Sequence, residues 1–204
     1  NGSSDLTRSL AGLPDFKTES TDTVGIPALL KNKWTKEGTY DAKVAKYGSS
    51  GTVRSYLCKW LSEWVETYGV DGFRCDTAKH VEYASWKALK ESCVTALNNW
   101  RKNNPNEPGA DWTDDFWMTG ESWDHGVGKD AYYTQGGFDS MINFSTCDGG
   151  SLGTGGLDGT YSGYDSAINK DPDFNVLSFM SSHDENLMSA NKSSKDMIYY
   201  GTAF

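Results

Sequence analysis

The chain has 204 residues, of which 37% are hydrophobic and 13% aromatic, enough to bury one sizeable core. Its formal net charge is -9 and its Lys and Arg residues are scattered, which argues against a nucleic-acid partner. No apolar run approaches the roughly 20 residues that a membrane-spanning helix needs, so we expect a soluble protein with no membrane partner. Nothing in the sequence indicates an oligomeric state. The chain begins without Met, which predicts a processed form or an excised piece of a longer protein.

The first 52 residues are rich in Gly, Ser, Thr and Lys and show little hydrophobic periodicity. They predict a long loop or the tail of a small inserted domain. The stretch Leu13-Pro14-Asp15-Phe16 within them predicts an ordered turn, because Pro fixes the backbone and Asp can accept hydrogen bonds from local amides.

Two amphipathic helices are predicted next. Apolar residues recur at helical spacing over 53–68, and Gly69 ends that helix. A second helix is predicted from Ser85, a plausible N-cap, to Trp100, before the Asn103-Asn104-Pro105 breaker. Further helices are predicted near 162–168 and from Lys195 onward, and the Gly-rich run 149–163 predicts a flexible loop.

Short apolar strands are predicted at 70–76, 116–120, 137–144 and 175–180. Strands that alternate with helices and are nearly continuous in apolar residues are typical of a parallel sheet with helices packed outside. In such folds the functional groups gather at the carboxyl ends of the strands. We therefore expect an α/β protein with its site at those ends.

The first of these strands ends in Arg74 and Asp76, which should project from one face while Phe73, Cys75 and Thr77 project from the other. An Arg beside a carboxylate favours the ionised form, which could serve as a nucleophile. A structural ion pair that closes a strand end is an equally good interpretation of this stretch alone.

Three of the predicted strands have a carboxylate at or just past their carboxyl ends: Asp76, Glu121 and Asp184. Converging carboxylates either bind a divalent metal or cleave a glycosidic bond. Arg74 beside Asp76 would oppose a cation, which favours glycosidic cleavage over a metal-dependent hydrolase.

The motifs Asp71-Gly72-Phe73-Arg74-Cys75-Asp76, Thr119-Gly120-Glu121-Ser122-Trp123 and Ser182-His183-Asp184-Glu185-Asn186 resemble three sequence regions of the α-amylase superfamily, glycoside hydrolase family 13. Leu13-Pro14-Asp15-Phe16 is similar to a further motif of that family. The bacterial periplasmic α-amylases look most similar. The resemblance implies a partial (β/α)8 barrel covering about strands four to seven over 53–204, with 1–52 as a loop or the tail of the domain inserted after strand three.

The resemblance also implies a retaining mechanism on the α-1,4 bonds of starch or maltooligosaccharides, with residues in named roles. Asp76 is the implied nucleophile, Glu121 the acid/base and Asp184 the residue that stabilises the transition state. The implied substrate-binding residues are Arg74, Lys79, His80, His183 and Trp123, although packing is an equally good interpretation of Trp123 and a solvated surface position an alternative for Lys79. Thr77, directly after the implied nucleophile, resembles α-1,4-cleaving rather than α-1,6-cleaving members.

Three further expectations depend on the same resemblance. A structural calcium ion could bind the backbone carbonyl of His80, and the location is expected to be periplasmic or secreted. Because only part of the barrel is found, the alternative function is a non-catalytic carbohydrate-binding or scaffold fragment.

The dispersed Cys58, Cys75, Cys93 and Cys147 show no metal-binding spacing, and free thiols are favoured over a disulfide among the first three.

Overall fold

The computed structural model of the chain describes residues 4–7, 10–145, 157–184 and 187–203. The chain divides into two compact units. The first unit comprises Asn1–Gly72 and His80–Phe116, and the second comprises Phe73–Lys79 and Trp117–Phe204. The proposed boundary between 1–52 and 53–204 follows a different criterion, the family's inserted domain, and stays a prediction.

The first unit begins with two short 3-10 turns, Asp5–Thr7 and Leu10–Gly12, and continues into a small helical subregion. Strand β1 (Val24–Gly25) pairs antiparallel with β2 (Ser50–Gly51), and helices α1 (Ala28–Lys36) and α2 (Tyr40–Tyr47) lie between them in the chain. Leu30, Trp34 and Tyr56 form the buried cluster of this subregion. The two helices within 28–47 show that this part of the chain is not a continuous loop, while the alternative of a tail of the inserted domain stays a prediction.

Two long helices, α3 (Val53–Tyr68) and α4 (Tyr83–Asn103), pack on each other in the same unit. The predicted bounds of α3 are confirmed: the Thr52 hydroxyl accepts a hydrogen bond from the Ser55 amide, and Gly69 ends the helix with a left-handed φ of 66°. The predicted N-cap of α4 is wrong. The helix begins after Glu82, and Ser85 lies inside its first turn, where its hydroxyl donates to Glu82 Oε2 at 3.1 Å.

The sheet is built from β3 (Gly72–Cys75), β4 (Trp117–Gly120), β5 (Ser140–Asn143) and β6 (Asn175–Ser178), neighbouring one another in that order. The pairs β4/β5 and β5/β6 are parallel, with Thr119 opposite Ser140 and Ser140 opposite Asn175. The second unit also contains α5 (Ala131–Thr134), α6 (Leu157–Ala167), α7 (Met188–Asn191) and α8 (Ser194–Ala203). This is the α/β architecture expected of four consecutive strands of a partial (β/α)8 barrel.

The Gly-rich run departs from the sequence prediction where the structure describes it. Residues 149–156 of the predicted loop lie outside the described residues, and the rest, from Leu157, is part of α6. The helix begins at Leu157, earlier than the predicted 162–168. Gly159 and Gly163, which were expected to belong to a loop, lie within the helix and do not interrupt it. None of the helices in the described part of the chain is long and apolar enough to span a membrane.

Gly120, the last residue of β4, is held against the core of the second unit. A Cβ at this position would lie 2.6 Å from Met141 Sδ and 2.9 Å from Phe138 Cε1, and both side chains are buried. We expect Gly120→Ala to lower the free energy of unfolding by about 1 to 3 kcal/mol, since a packed core resists an added methyl group.

Urea unfolding followed by circular dichroism measures this effect, with Gly128→Ala as the control. A Cβ at Gly128 would meet no atom within 4 Å, so that variant should stay within about 0.5 kcal/mol of the wild type. Equal stability of the two variants would contradict the close packing at Gly120.

Candidate active site

The carboxyl end of β3 presents Arg74 and Asp76 on one face, as strand alternation predicts. Arg74 Nη1 lies 3.2 Å from Asp76 Oδ2, while Cys75 between them is buried. The Asp76 side chain is 65% exposed, so the ion pair contributes only about 0 to 1 kcal/mol to stability. The exposure of Asp76 leaves its carboxylate accessible from solvent, and both interpretations of the pair, structural and catalytic, stay predictions.

Glu121 follows the carboxyl end of β4 and is only 6% exposed. Its Oε2 accepts a hydrogen bond from the Thr77 amide at 2.8 Å. Its backbone is bound on both sides, because its N–H donates to the Cys75 carbonyl at 2.8 Å and its carbonyl accepts from the Ala78 amide at 2.6 Å. These hydrogen bonds fix the backbone and the side chain of Glu121 relative to the turn that follows Asp76.

Thr77 adopts a left-handed backbone with a φ of 49°. A β-branched residue is rarely found in this region, and such strained positions concentrate at functional sites. Here the left-handed turn brings the Thr77 amide to Glu121 directly after Asp76. Sequence reasoning considered only the type of side chain at Thr77, because a non-glycine residue gives no signal of a positive φ.

Asp184 lies beyond the carboxyl end of β6 and approaches the same cation. Arg74 Nη2 is 4.0 Å from Asp184 Oδ2, and His183 Nε2 is 3.2 Å from the same oxygen. The His183 and Asp184 side chains are both exposed. Arg74 therefore connects Asp76 with Asp184, so the structure brings the carboxylates after β3 and β6 to one place.

Trp123 lies two residues after Glu121 and is 41% exposed. Its ring packs on Phe144 with a centroid distance of 5.1 Å, and Phe144 in turn contacts Phe179 at 5.3 Å. A ring that is anchored on one aromatic neighbour and still exposed is compatible with both the packing and the stacking interpretation.

The last two predicted substrate-binding residues lie in a 3-10 turn, Ala78–His80, that the unit boundary divides. Lys79 belongs to the second unit and is partly buried. His80 belongs to the first unit, where its Nδ1 lies 2.8 Å from the Asp5 carbonyl oxygen. Their contacts with substrate stay predictions.

No protein-family model matches the chain. It is 46% identical over 186 residues to the periplasmic α-amylase of Escherichia coli, which covers 91% of this chain and 26% of that relative. It is also 36% identical over 87 residues to an α-amylase of Streptomyces lividans, covering 42% of this chain and 8% of that relative. The chain is an α-amylase-like fragment.

The chain therefore spans about a quarter of the length of its periplasmic α-amylase relative. Among solved structures, an Anoxybacillus α-amylase has a TM-score of 0.46 and 18% identity, covering 71% of this chain and 32% of that chain. A maltogenic α-amylase from Thermotoga neapolitana has a TM-score of 0.41 and 19% identity, covering 74% and 33%. The similarity to α-amylases is carried by the two sequence relatives and not by these superpositions.

A calcium site was predicted from the α-amylase resemblance, with the His80 carbonyl as one ligand. Within the described ranges, no group of three or more His, Cys, Asp or Glu side chains is placed to hold a metal ion. A single carbonyl does not make a calcium site, because calcium takes 6 to 8 oxygen ligands. The described side chains alone therefore supply no calcium site, and the ion stays a prediction.

Two features of this α-amylase-type site were missed by sequence reasoning. One is the Thr77 amide described above. The other is His125, which matched no trusted motif, yet its side chain is only 9% exposed and its Nε2 lies 3.2 Å from Asp130 Oδ2. The side-chain partner Asp130 lies on the same loop at a spacing that belongs to no known motif, so no signal in the sequence indicated this contact.

Cys58, Cys75 and Cys93 are buried thiols that form no disulfide, as the sequence predicted, while Cys147 lies outside the described residues. Burial raises the pKa of the Cys75 thiol to about 12, against a smaller lowering effect of Arg74, and burial also raises the pKa of Cys58. Since the thiolate is the reactive form, both residues should react slowly in the native protein.

We expect native-state alkylation of Cys75 by iodoacetamide at pH 8.5 to be about 100- to 1,000-fold slower than in denaturant. Peptide mass spectrometry measures the two rates, with Cys58 followed in parallel. Because the thiolate population rises until the pH reaches the pKa, the native rate should still increase above pH 10. A plateau near 9.0, the ordinary thiol pKa, would contradict the effect of burial.

Proposed function

We propose that the protein carrying this chain is a retaining glycoside hydrolase that cleaves α-1,4-glucosidic bonds in starch or maltooligosaccharides. The observation that supports this most strongly is the arrangement at the strand ends. Arg74 lies between Asp76 and Asp184, while Glu121 is bound to the turn that follows Asp76. One exposed carboxylate and one buried carboxyl group on neighbouring strands are the two groups that this chemistry requires.

In the first step, an Asp76 carboxylate oxygen attacks the anomeric carbon of the sugar. Glu121 donates its proton to the glycosidic oxygen as the bond between that oxygen and the anomeric carbon breaks. The products are a glycosyl ester of Asp76, an ionised Glu121 and the free leaving-group sugar. The exposure of Asp76 gives the substrate access to the nucleophile.

In the second step, Glu121 takes a proton from water, and the resulting hydroxide oxygen attacks the same carbon. The ester bond breaks, Asp76 regains its carboxylate and Glu121 its proton, so two inversions retain the configuration. Nucleophile and acid/base groups in retaining enzymes lie roughly 5 to 5.5 Å apart. The hydrogen bond from the Thr77 amide to Glu121 joins the ends of two neighbouring strands, which is compatible with such a spacing.

The other candidate residues have supporting roles in this proposal. Arg74 orients Asp76, and Asp184 with His183 binds the sugar hydroxyls and stabilises the oxocarbenium-like transition state. Lys79 and His80 contact the leaving-group side, and Trp123 stacks on a glucose ring. The specificity for α-1,4 bonds is inferred from Thr77, by family resemblance.

The periplasmic α-amylase relative also supports a periplasmic or secreted location for the protein. A structural calcium ion bound in part by the His80 backbone carbonyl is a further proposal, made from the family resemblance alone. Neither proposal affects the assignment of the three carboxylates.

A second candidate function applies to the 204 residues by themselves. Because the chain spans 26% of its periplasmic α-amylase relative, it could act alone as a non-catalytic carbohydrate-binding or scaffold fragment. The two candidates predict different behaviour for the isolated chain and the intact protein.

Both proteins should be assayed with maltoheptaose and, as the matched control substrate, an α-1,6-linked isomaltooligosaccharide. We expect the intact protein to release reducing sugar from maltoheptaose with retained α configuration, read by proton NMR, and not from the control. An inactive isolated chain would support the second candidate for the fragment. An intact protein that produces the β anomer would contradict the retaining mechanism.

A further inference from the structure

The backbone of His125 makes two hydrogen bonds that stabilise the segment directly after Glu121. The His125 N–H donates to the Ser122 carbonyl at 2.9 Å, which closes a turn in which Asp124 has a φ of 66°. The His125 carbonyl accepts from the Phe144 amide at 2.8 Å, just past the end of β5. Phe144 is also the residue on which the Trp123 ring packs.

The His125 side chain makes a second set of contacts. Its Nε2 lies 3.2 Å from Asp130 Oδ2, and the other carboxylate oxygen of Asp130 accepts from the Tyr132 amide at 2.9 Å. The imidazole and the Tyr132 ring are in T-shaped contact with a centroid distance of 5.9 Å, and the Tyr132 hydroxyl lies 3.3 Å from Ser122 Oγ. The contacts thus return to the turn that contains Trp123.

The tautomer of His125 follows from its surroundings. Nδ1 is buried and has no hydrogen-bond partner among the described residues. A neutral imidazole carries one N–H, and an N–H on Nδ1 would be buried without an acceptor. The proton therefore belongs on Nε2, which donates it to Asp130.

We propose that His125 is a positioning residue that sets the place of Trp123 for sugar binding, through its hydrogen bond to Asp130 and its backbone bonds to Ser122 and Phe144. The inference rests on the proposed α-glucan specificity, because it assigns Trp123 to the substrate. His125 contacts no reacting atom in this scheme. Its loss should weaken substrate binding more than it slows bond cleavage.

The kinetic test uses maltoheptaose and the intact protein. Stacking on an aromatic ring that is correctly placed changes affinity by about 3- to 10-fold. His125→Ala should raise KM by that factor with kcat changed less than about 2-fold. In a Trp123→Ala background the same substitution should have no further effect on KM, because His125 acts through Trp123. A KM effect that persists in that background would overturn the proposal.

Two further substitutions separate hydrogen bonding from packing. Gln places an N–H donor about where Nε2 lies, whereas Phe keeps the aromatic edge against Tyr132 and loses the donor. His125→Gln should restore the wild-type KM and His125→Phe should not. Rescue by Phe alone would show a packing role and overturn the proposal. Lys129→Ala is the control. Lys129 lies on the same loop as His125, and its substitution breaks only an exposed ion pair with Asp171, so KM should stay unchanged.

A readout that needs no activity distinguishes failure of this inference from failure of the proposed function. Acrylamide quenching of Trp123 is obtained as the difference between each protein and its Trp123→Phe counterpart. His125→Ala should increase that quenching and Lys129→Ala should not. Increased quenching in a protein that does not act on maltoheptaose would contradict the α-glucan specificity while supporting the contact, and unchanged quenching would overturn the positioning role itself.

Discussion

Replacing Asp76 with Asn in the intact protein is expected to lower kcat on maltoheptaose by about 10⁴-fold or more, as the loss of a covalent nucleophile does. The amide is nearly isosteric, so it keeps the shape of the site but cannot form the glycosyl ester. Because Asp76 is 65% exposed and its ion pair with Arg74 is solvated, the free energy of unfolding should change by less than about 1 kcal/mol. Steady-state kinetics and urea unfolding measure the two effects.

The matched control is Asp71→Asn, which makes the same chemical change in the exposed residue just before β3. This variant should keep wild-type kcat. An Asp76→Asn protein with activity close to that of the control would remove Asp76 from the mechanism.

Replacing Glu121 with Gln should lower kcat/KM on maltoheptaose by about 10²- to 10⁴-fold, the range for loss of a general acid. The effect should depend on the leaving group. With α-maltosyl fluoride, whose fluoride leaves without being protonated, the first step should be nearly unaffected. Gln keeps an oxygen that can accept the Thr77 amide hydrogen bond, so the variant isolates proton transfer from positioning.

Burst kinetics with the fluoride substrate test this interpretation, because the glycosyl intermediate should accumulate when its hydrolysis lacks a base. Glu107→Gln, on an exposed loop of the first unit, is the matched control and should behave as wild type. If kcat/KM fell equally for α-maltosyl fluoride and for maltoheptaose, Glu121 would have a role other than acid/base catalysis.

The elements that sequence predicted well are those with strong periodicity. The apolar stripe of α3 and the left-handed Gly69 fixed both ends of that helix. Helices α1 and α2 were missed because they are short and bury little: α1 buries Leu30 and Trp34, and α2 buries no residue. Burial in a small local cluster, which the sequence does not reveal, stabilises them instead of a long amphipathic face.

In the candidate site, too, only the residues that follow from a repeating pattern could be predicted from the sequence. Strand alternation was enough to place Arg74 beside Asp76, and parallel-sheet topology was enough to expect Glu121 and Asp184 at strand ends. The hydrogen bond from the Thr77 amide to Glu121 joins residues 44 positions apart, and the His125 side chain contacts Asp130 across a loop without regular secondary structure. Such contacts leave no periodic signal, so only the three-dimensional structure could reveal them.

Trapping the glycosyl intermediate tests directly whether Asp76 forms a covalent bond to the sugar while Glu121 acts as acid and base. The intact protein is incubated with a 5-fluoro-α-glucosyl fluoride, digested and examined by mass spectrometry. We predict one glycosyl adduct, on the peptide that contains Asp76, formed rapidly in wild type and absent from Asp76→Asn. An adduct on a different carboxylate, or turnover with inverted configuration and no adduct, would contradict this account.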